Sequence, residues 1–234
     1  HPAMQASNQH NNILIIGGGD GLALREVLKW NPKAVTLMDL DPNLVGLFKA
    51  PSEVMPVHLA KKIIDLSANS FNDPRVNVIN DDAFIGIDKL LQDKLVFDTI
   101  IVDLPDPSHP DLNKLYSVNF YYRLNHLLNA DGVMVVQSTS PFHAQNAFIS
   151  IKKTVTKANF SQVEQFHQNV PSFGEWGWTI ATKKGASVSE RLLSKEASSV
   201  ELLWLTPELL IGSFAFNKGF YDKADQVKVN YLGS

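Results

Sequence analysis

Aspartate is the residue type around which the chemistry of this chain gathers. Asp20, Asp39 with Asp41, Asp81 with Asp82, and Asp103 with Asp106 each follow a short apolar run. Ligands of open parallel sheets bind beyond the carboxyl ends of the strands, so four acidic strand ends in succession describe one acidic rim. Any one of these aspartates suits a turn or a helix N-cap, and taken singly that structural role is the commoner one. Taken together they repel one another, and a cationic ligand relieves the repulsion. A glycine-rich turn stands in the same place. Gly17, Gly19 and Gly21 follow the apolar run 12–16, where a tight strand-to-helix turn lets backbone N–H groups approach a nucleoside-bearing ligand. The dinucleotide fingerprint wants its third glycine one place later, where Leu22 stands, so the spacing favours a sulfonium nucleoside over NAD or FAD. Asp39 closes the second apolar run, where a carboxylate accepts hydrogen bonds from both ribose hydroxyls. Asp82 precedes Ala83 at a predicted helix start. N-capping and contact with an adenine amino group are equally open to it, and the two can coexist.

Such a rim needs parallel strands alternating with helices. Apolar β-rich runs predict strands over residues 12–16, 34–38, 75–79, 97–102 and 132–137, with helices over 22–29, 42–49, 59–66, 83–91 and 118–128 between and after them. The first, fourth and fifth strands are nearly continuous apolar runs, the pattern of strands covered on both faces. A helix over 144–157 leads to two last strands, 162–167 and 176–182, which pair as a hairpin at one edge of the sheet. The fold class is therefore α/β: a Rossmann-like, mostly parallel sheet of the methyltransferase type, with helices on both faces. Composition changes at Ser187, and Thr206-Pro207-Glu208 offers an N-cap followed by proline at the first helical position. Residues 1–185 are read as a nucleoside-binding domain and residues 186–234 as a helical appendage packed on it.

Composition removes several alternatives. With 234 residues and 44% hydrophobic content the chain can bury a full core. Its net charge of −3 comes with only isolated lysine pairs such as Lys61-Lys62 and Lys183-Lys184, so nucleic acid is not an expected partner. The apolar stretch 200–216 is interrupted by Glu201, Pro207 and Glu208, and nothing reaches the roughly 20 residues of a membrane span. Cysteine is absent, which excludes thiol catalysis and fits a reducing, cytoplasmic setting. His1-Pro2-Ala3-Met4 has no signal-peptide character and reads as the start of a segment cut from something longer. The seven histidines show no metal-ligand spacing, so no metal is expected; His109 is the one that stands near the Asp106 loop. Ser138, Ser140 and Tyr116 have no triad context.

Several motifs in order carry a family resemblance. They are Gly17-Gly18-Gly19-Asp20-Gly21 with Leu24-Arg25-Glu26-Val27-Leu28, Asp39-Leu40-Asp41, Asp82-Ala83-Phe84, Asp103-Leu104-Pro105-Asp106-Pro107, Leu115-Tyr116-Ser117 with Phe120-Tyr121, and Gln137-Ser138. Over residues 11–181 the chain resembles the polyamine aminopropyltransferases, the spermidine synthase family. The segment 171–177 and the Asp-Leu-Pro-Asp-Pro form resemble most the bacterial branch fused to a membrane-spanning region. The resemblance implies transfer of an aminopropyl group from decarboxylated S-adenosylmethionine, a co-substrate rather than a resident cofactor, to an amine such as putrescine. The products would be spermidine and methylthioadenosine. It implies Asp103 as the base that takes the proton of the attacking amine and as a nucleoside contact. Asp20 and Asp106 would orient or neutralise the amine and aminopropyl groups, and Gln137 would hydrogen-bond the acceptor. Both reactants are cations, which accounts for an acidic rim.

Two rivals remain open. In an ordinary methyltransferase Asp20 would face the carboxylate of intact S-adenosylmethionine, and like charges there cost affinity. A non-catalytic sensor of nucleosides or polyamines is the other. The chain also departs from the family pattern. Family members begin with a small β-rich domain that contributes to the amine pocket and to oligomer formation, and the 234 residues hold no counterpart of it. Phe173 stands where many family enzymes have a tyrosine on the amine side; Glu175 and Trp176 are the expected replacements, although edge-strand packing serves Trp176 and Trp178 as well. A homo-oligomer is expected for the full-length protein.

Overall fold

The structure, a computed structural model, describes residues 1–196, 198 and 200–232. In chain order its regular elements are α1 (Pro2–Ala6), β1 (Asn12–Gly17), α2 (Leu22–Leu28), β2 (Ala34–Asp39), α3 (Pro42–Lys49), α4 (Val57–Ser67), β3 (Val76–Asn80) and α5 (Ala83–Gln92). There follow β4 (Phe97–Asp103), α6 (Val118–Leu127), β5 (Leu128–Gln137), α7 (Gln145–Lys157), β6 (Gln162–Val170), β7 (Gly174–Thr182), α8 (Val188–Ser194) and α9 (Pro207–Gly212).

Ile13, Leu14, Ile15 and Ile16 are apolar on both faces of an extended chain, so they form a strand only where both sides are covered. All four are fully buried in β1, within a seven-stranded sheet ordered β3-β2-β1-β4-β5-β7-β6. The five strands from β3 to β5 are parallel, while β7 runs antiparallel to β5 and pairs with β6 as a hairpin at the edge. This is the doubly wound, methyltransferase-like arrangement that the alternation of runs predicts. Side chains of β1 sort by parity, as the period of two requires. Leu14 and Ile16 join the cluster beneath α5, α6 and α7, and Ile13 and Ile15 join the one beneath α2 and α3.

Three features differ from the sequence expectation. Residues 2–6 form a short helix, and Met4, Ala3 and Ala6 are buried. Its carboxyl end is tied down by Lys195, whose ammonium donates to the carbonyls of Gln5, Ala6 and Ser7 at 2.9, 3.1 and 3.0 Å. A 3-10 segment, Pro110–Tyr116, precedes α6. The tail is less helical than its composition suggests: α8 and α9 are short, and polar breaks such as Gly212-Ser213 and Asn217-Lys218-Gly219 end regular structure between them and the terminus. The Thr206 cap is where the sequence places it, accepting from the Leu209 N–H at 3.1 Å. Ser187 with Glu190 adds a capping box on α8.

Val188, Leu192 and Leu210 of the tail share a buried cluster with Ala3, Ala6, Val133, Phe166 and Ile180. Side chains of this size stabilise by about 1.5–3 kcal/mol each when fully buried. We therefore propose that residues 186–234 fold as part of one unit with residues 1–185. Deleting residues 186–234 is expected to lower the urea midpoint of unfolding clearly; an unchanged midpoint would mark the tail as an independent attachment.

Candidate active site

The glycine turn after β1 is required by the close approach of neighbouring backbone. Gly17 has φ +82° and lies in register with Asp103, and a Cβ on it would come 2.0 Å from the Asp103 carbonyl oxygen. Gly18 and Gly21 also have positive φ, at +67° and +73°. Gly19 is needed for a different reason. Its N–H donates to Asp39 Oδ2 at 3.0 Å, and a Cβ would meet that carboxylate at 2.8 Å. The turn and the end of β2 are thereby locked together, and Asp39 Oδ1 also accepts from the Asp41 N–H at 2.8 Å.

Parallel register carries the carboxyl ends of β1, β2 and β4 to one level, and a cavity of about 990 Å³ opens beyond them. Asp20, Asp39, Asp41, Asp82, Asp103 and Asp106 all line it. Among the described residues one of these has a cationic partner: Lys114 Nζ donates to Asp82 Oδ2 at 2.6 Å. Desolvation works against ionisation of Asp82, but the Lys114 ammonium and the Phe84 N–H outweigh it and hold the carboxyl below its ordinary value. Asp103 is displaced the other way. Its surface is open to the cavity, yet protein surrounds it closely enough to strip solvation. Desolvation first, then the charges of Asp20 and Asp39, push its carboxyl up from the ordinary carboxylate range.

The far side of the cavity is built from the loop after β4, the end of β5 and the β6–β7 hairpin. Gln137 Nε2 donates to Asp106 Oδ1 and to the Leu104 carbonyl, both at 3.0 Å. Gln137 Oε1 accepts from Trp176 Nε1 at 3.2 Å and from the Thr139 N–H. Tyr116 fixes the acidic loop by donating its hydroxyl to the Pro105 carbonyl at 2.9 Å. Val170, Phe173, Trp176 and Trp178 form an aromatic and apolar wall, and Phe173 is 66% exposed.

The comparisons with known proteins agree with this geometry. A model of the spermine/spermidine synthase domain matches residues 1–192. The chain belongs to that family. It is 55% identical over its whole length to a protein of Shewanella oneidensis named polyamine aminopropyltransferase, and 40% identical over 87% of its length to polyamine aminopropyltransferase 1 of Streptomyces coelicolor. The chain spans 41% and 35% of the lengths of those two relatives. Among solved structures it is similar to the spermidine synthase of Thermotoga maritima, with a TM-score of 0.76, 24% identity and coverage of 97% of this chain and 72% of that one, which speaks to fold. A spermidine synthase in complex with the transition-state analogue AdoDATO aligns with a TM-score of 0.77 and 25% identity, over 97% of this chain and 73% of that one.

Most residues singled out in the sequence meet at this one cavity: Gly17, Gly19, Asp20, Asp39, Asp82, Ala83, Asp103, Asp106, Gln137 and Trp176. Two do not. Glu175 was expected beside Trp176 on the amine side, but successive residues of β7 point to opposite faces, and its carboxylate is hydrogen-bonded to His167 Nδ1 outside the cavity. Gly21 likewise stands outside the lining; a Cβ there would run into Phe71 and Ser70 at 2.8 and 2.9 Å, so it serves the packing behind the turn. Asp82 does cap α5, its Oδ1 accepting from the Phe84 N–H at 2.8 Å. Lys114, Leu112 and Leu115 line the cavity without having been foreseen, because no periodicity marks the 3-10 segment that delivers them. His109 pairs with Asp111 at 3.4 Å and is absent from the lining. Among the described residues no group of His, Cys, Asp or Glu could hold a metal ion, and no helix is long and apolar enough to cross a membrane.

Two outcomes follow from this geometry. Gly19→Ala places a methyl against Asp39 without backbone strain, so calorimetry should find nucleoside affinity lowered at least about tenfold with the fold retained. Asp103 binds its proton more tightly in the folded than in the unfolded chain, so its ionised form costs stability at neutral pH. That cost is present above the raised folded pKa and vanishes as pH falls towards the unfolded value near ~3.9. Asp103→Asn should therefore raise the melting temperature at pH 7 and lose that advantage near pH ~4; an equal or lower melting temperature at neutral pH would contradict the account.

Proposed function

We propose that this chain carries the catalytic site for aminopropyl transfer from decarboxylated S-adenosylmethionine to a small polyamine acceptor such as putrescine, yielding spermidine and methylthioadenosine. The observation that carries the reading is an acidic rim whose members at the reacting end, Asp20, Asp103 and Asp106, line one cavity with no lysine or arginine bound to them among the described residues. Each reactant brings positive charge, and the carboxylates compensate it within the cavity.

In this reading the nucleoside lies along the glycine turn. Asp39 receives the ribose hydroxyls, and Asp82 and Ala83 border the adenine. Asp20 takes the ammonium of the aminopropyl arm, and Asp106 holds the acceptor amine. Nitrogen of the acceptor attacks the aminopropyl carbon beside the sulfonium, the carbon–sulfur bond breaks, and its electron pair leaves on sulfur as the neutral thioether. The displaced proton passes from nitrogen to Asp103. An amine with an unperturbed pKa near ~10 is a poor nucleophile while protonated, and a carboxylate whose proton affinity is raised by desolvation is better suited to relieve it. Alignment and charge placement supply the acceleration, and no covalent intermediate with the protein is needed.

Asp20 also bears on the choice of nucleoside. Intact S-adenosylmethionine would set its carboxylate against that of Asp20, whereas the decarboxylated form presents only an ammonium there. In this reading the domain lies in the cytoplasm, the full-length protein is a homo-oligomer, and any membrane region is attached outside this chain.

Mass spectrometry of products formed by the chain and by the full-length protein, given each nucleoside and a panel of diamines, tests the reading. Methylthioadenosine with an amine extended by one aminopropyl unit is expected, and Asp103→Asn should cut turnover by about two orders of magnitude or more. A methylated amine would mark a methyltransferase instead, and tight binding without any turnover a sensor. Asp20→Asn should narrow the preference between the two nucleosides; an unaltered ratio would remove Asp20 from that role.

A further inference from the structure

Asp106 stands at the reacting end of the rim, and both its oxygens are engaged by uncharged donors. Gln137 Nε2 donates to Oδ1 at 3.0 Å and Thr139 Oγ1 donates to Oδ2 at 3.3 Å. The Gln137 amide has nothing left to offer a substrate. Its two N–H bonds go to Asp106 and the Leu104 carbonyl, which only accept, and its oxygen faces Trp176 Nε1 and the Thr139 N–H, which only donate. The amide orientation is thereby fixed, since a flip would set its nitrogen against two donors.

Thr139 completes this arrangement from an unfavourable backbone state. Its φ is +63°, the left-handed region that a β-branched residue rarely enters. The surroundings hold it there. Gly177 donates to the Thr139 carbonyl at 2.8 Å and accepts from the Ser138 N–H at 2.9 Å. Ser138 Oγ bonds Thr179 Oγ1 at 2.8 Å and the Val136 carbonyl at 2.9 Å. A glycine would take this conformation without strain, so the side chain must contribute what glycine lacks, and its hydroxyl is the group that reaches Asp106.

We propose that Thr139 is a positioning residue for the acceptor amine. Its hydroxyl and N–H, acting through Asp106 and Gln137, hold the Asp106 carboxylate in one orientation without cancelling its charge. A lysine or arginine at this place would fix the geometry equally well but would neutralise the anion that the amine needs. The inference rests on the aminopropyl-transfer reading and replaces direct contact between Gln137 and the acceptor by an indirect role.

The test combines steady-state kinetics with crystal structures of Thr139→Gly, Thr139→Ala and Thr139→Ser in the full-length protein. Thr139→Gly relieves backbone strain, so its melting temperature should be no lower than that of the wild type. Acceptor KM should rise by about tenfold or more in both Thr139→Gly and Thr139→Ala, with nucleoside affinity held within about twofold. Thr139→Ser, which keeps the hydroxyl, should return KM to within about threefold of the wild type. In the crystal structures the Asp106 carboxylate should turn in the glycine and alanine variants and keep its orientation in the serine variant. An effect of glycine without one of alanine would indicate loosened backbone and overturn the proposal, as would an unmoved Asp106 with unchanged KM. Should the wild type turn over no amine at all, the aminopropyl reading fails, and the orientation of Asp106 in the three variants still decides the positioning role.

Discussion

Mutual repulsion of carboxylates around one cavity is the constraint on which the rest of this structure depends. Parallel strands deliver Asp20, Asp39, Asp103 and Asp106 to the same level, and among the described residues no cation neutralises them. What holds them is a set of neutral donors. Gly19 and Asp41 N–H groups bond Asp39, the Leu22 N–H bonds Asp20 at 3.0 Å, and Gln137 with Thr139 bonds Asp106. Neutral hydrogen bonds fix where a carboxylate points and leave its charge to act across the cavity. Asp103 bears the consequence most heavily, because it is both desolvated and surrounded by like charge.

Among the described residues, the one cation in the lining marks a division within the site. Lys114 neutralises Asp82 at the start of α5, and its ammonium lies 5.5 Å from the centre of the Phe84 ring. A neutral nucleobase needs no anion to balance it, so this end tolerates an ion pair. The opposite end, between the glycine turn and the hairpin, keeps its negative charge unopposed and is backed by the aromatic wall of Phe173, Trp176 and Trp178. The Phe173 and Trp176 rings form a tilted pair with centroids 5.4 Å apart, and aromatic rings of this kind attract cations. On the proposed function, charge is cancelled at the end that takes the neutral base and preserved at the end that takes the cationic groups.

Backbone strain reaches the edge of this site at one residue. Gly17 and Gly18 absorb their positive φ values at no steric cost, but Thr139 does not, and the order of about 1–3 kcal/mol that such a residue costs is offset by the pairing of β5 with β7 around it. Gly177 allows that pairing to close, since a Cβ there would stand 2.3 Å from the Phe148 ring.

The sequence by itself determined the sheet, its central strands, the glycine turn and the acidic rim, because each depends on local pattern: nearly continuous apolar runs, a glycine where backbone must approach, an aspartate just past a strand. It also located Trp176 and Gln137 at the site. What it did not determine is which way side chains on the last hairpin point, or which groups already spend their hydrogen bonds on one another. Glu175 is turned to His167 by the register of β7, Lys114 arrives on a 3-10 segment without periodicity, and the left-handed backbone of Thr139 leaves no mark in its residue type. These are consequences of pairing between segments far apart in the chain, so only the tertiary structure decided that a threonine and a glutamine bond the two oxygens of the Asp106 carboxylate.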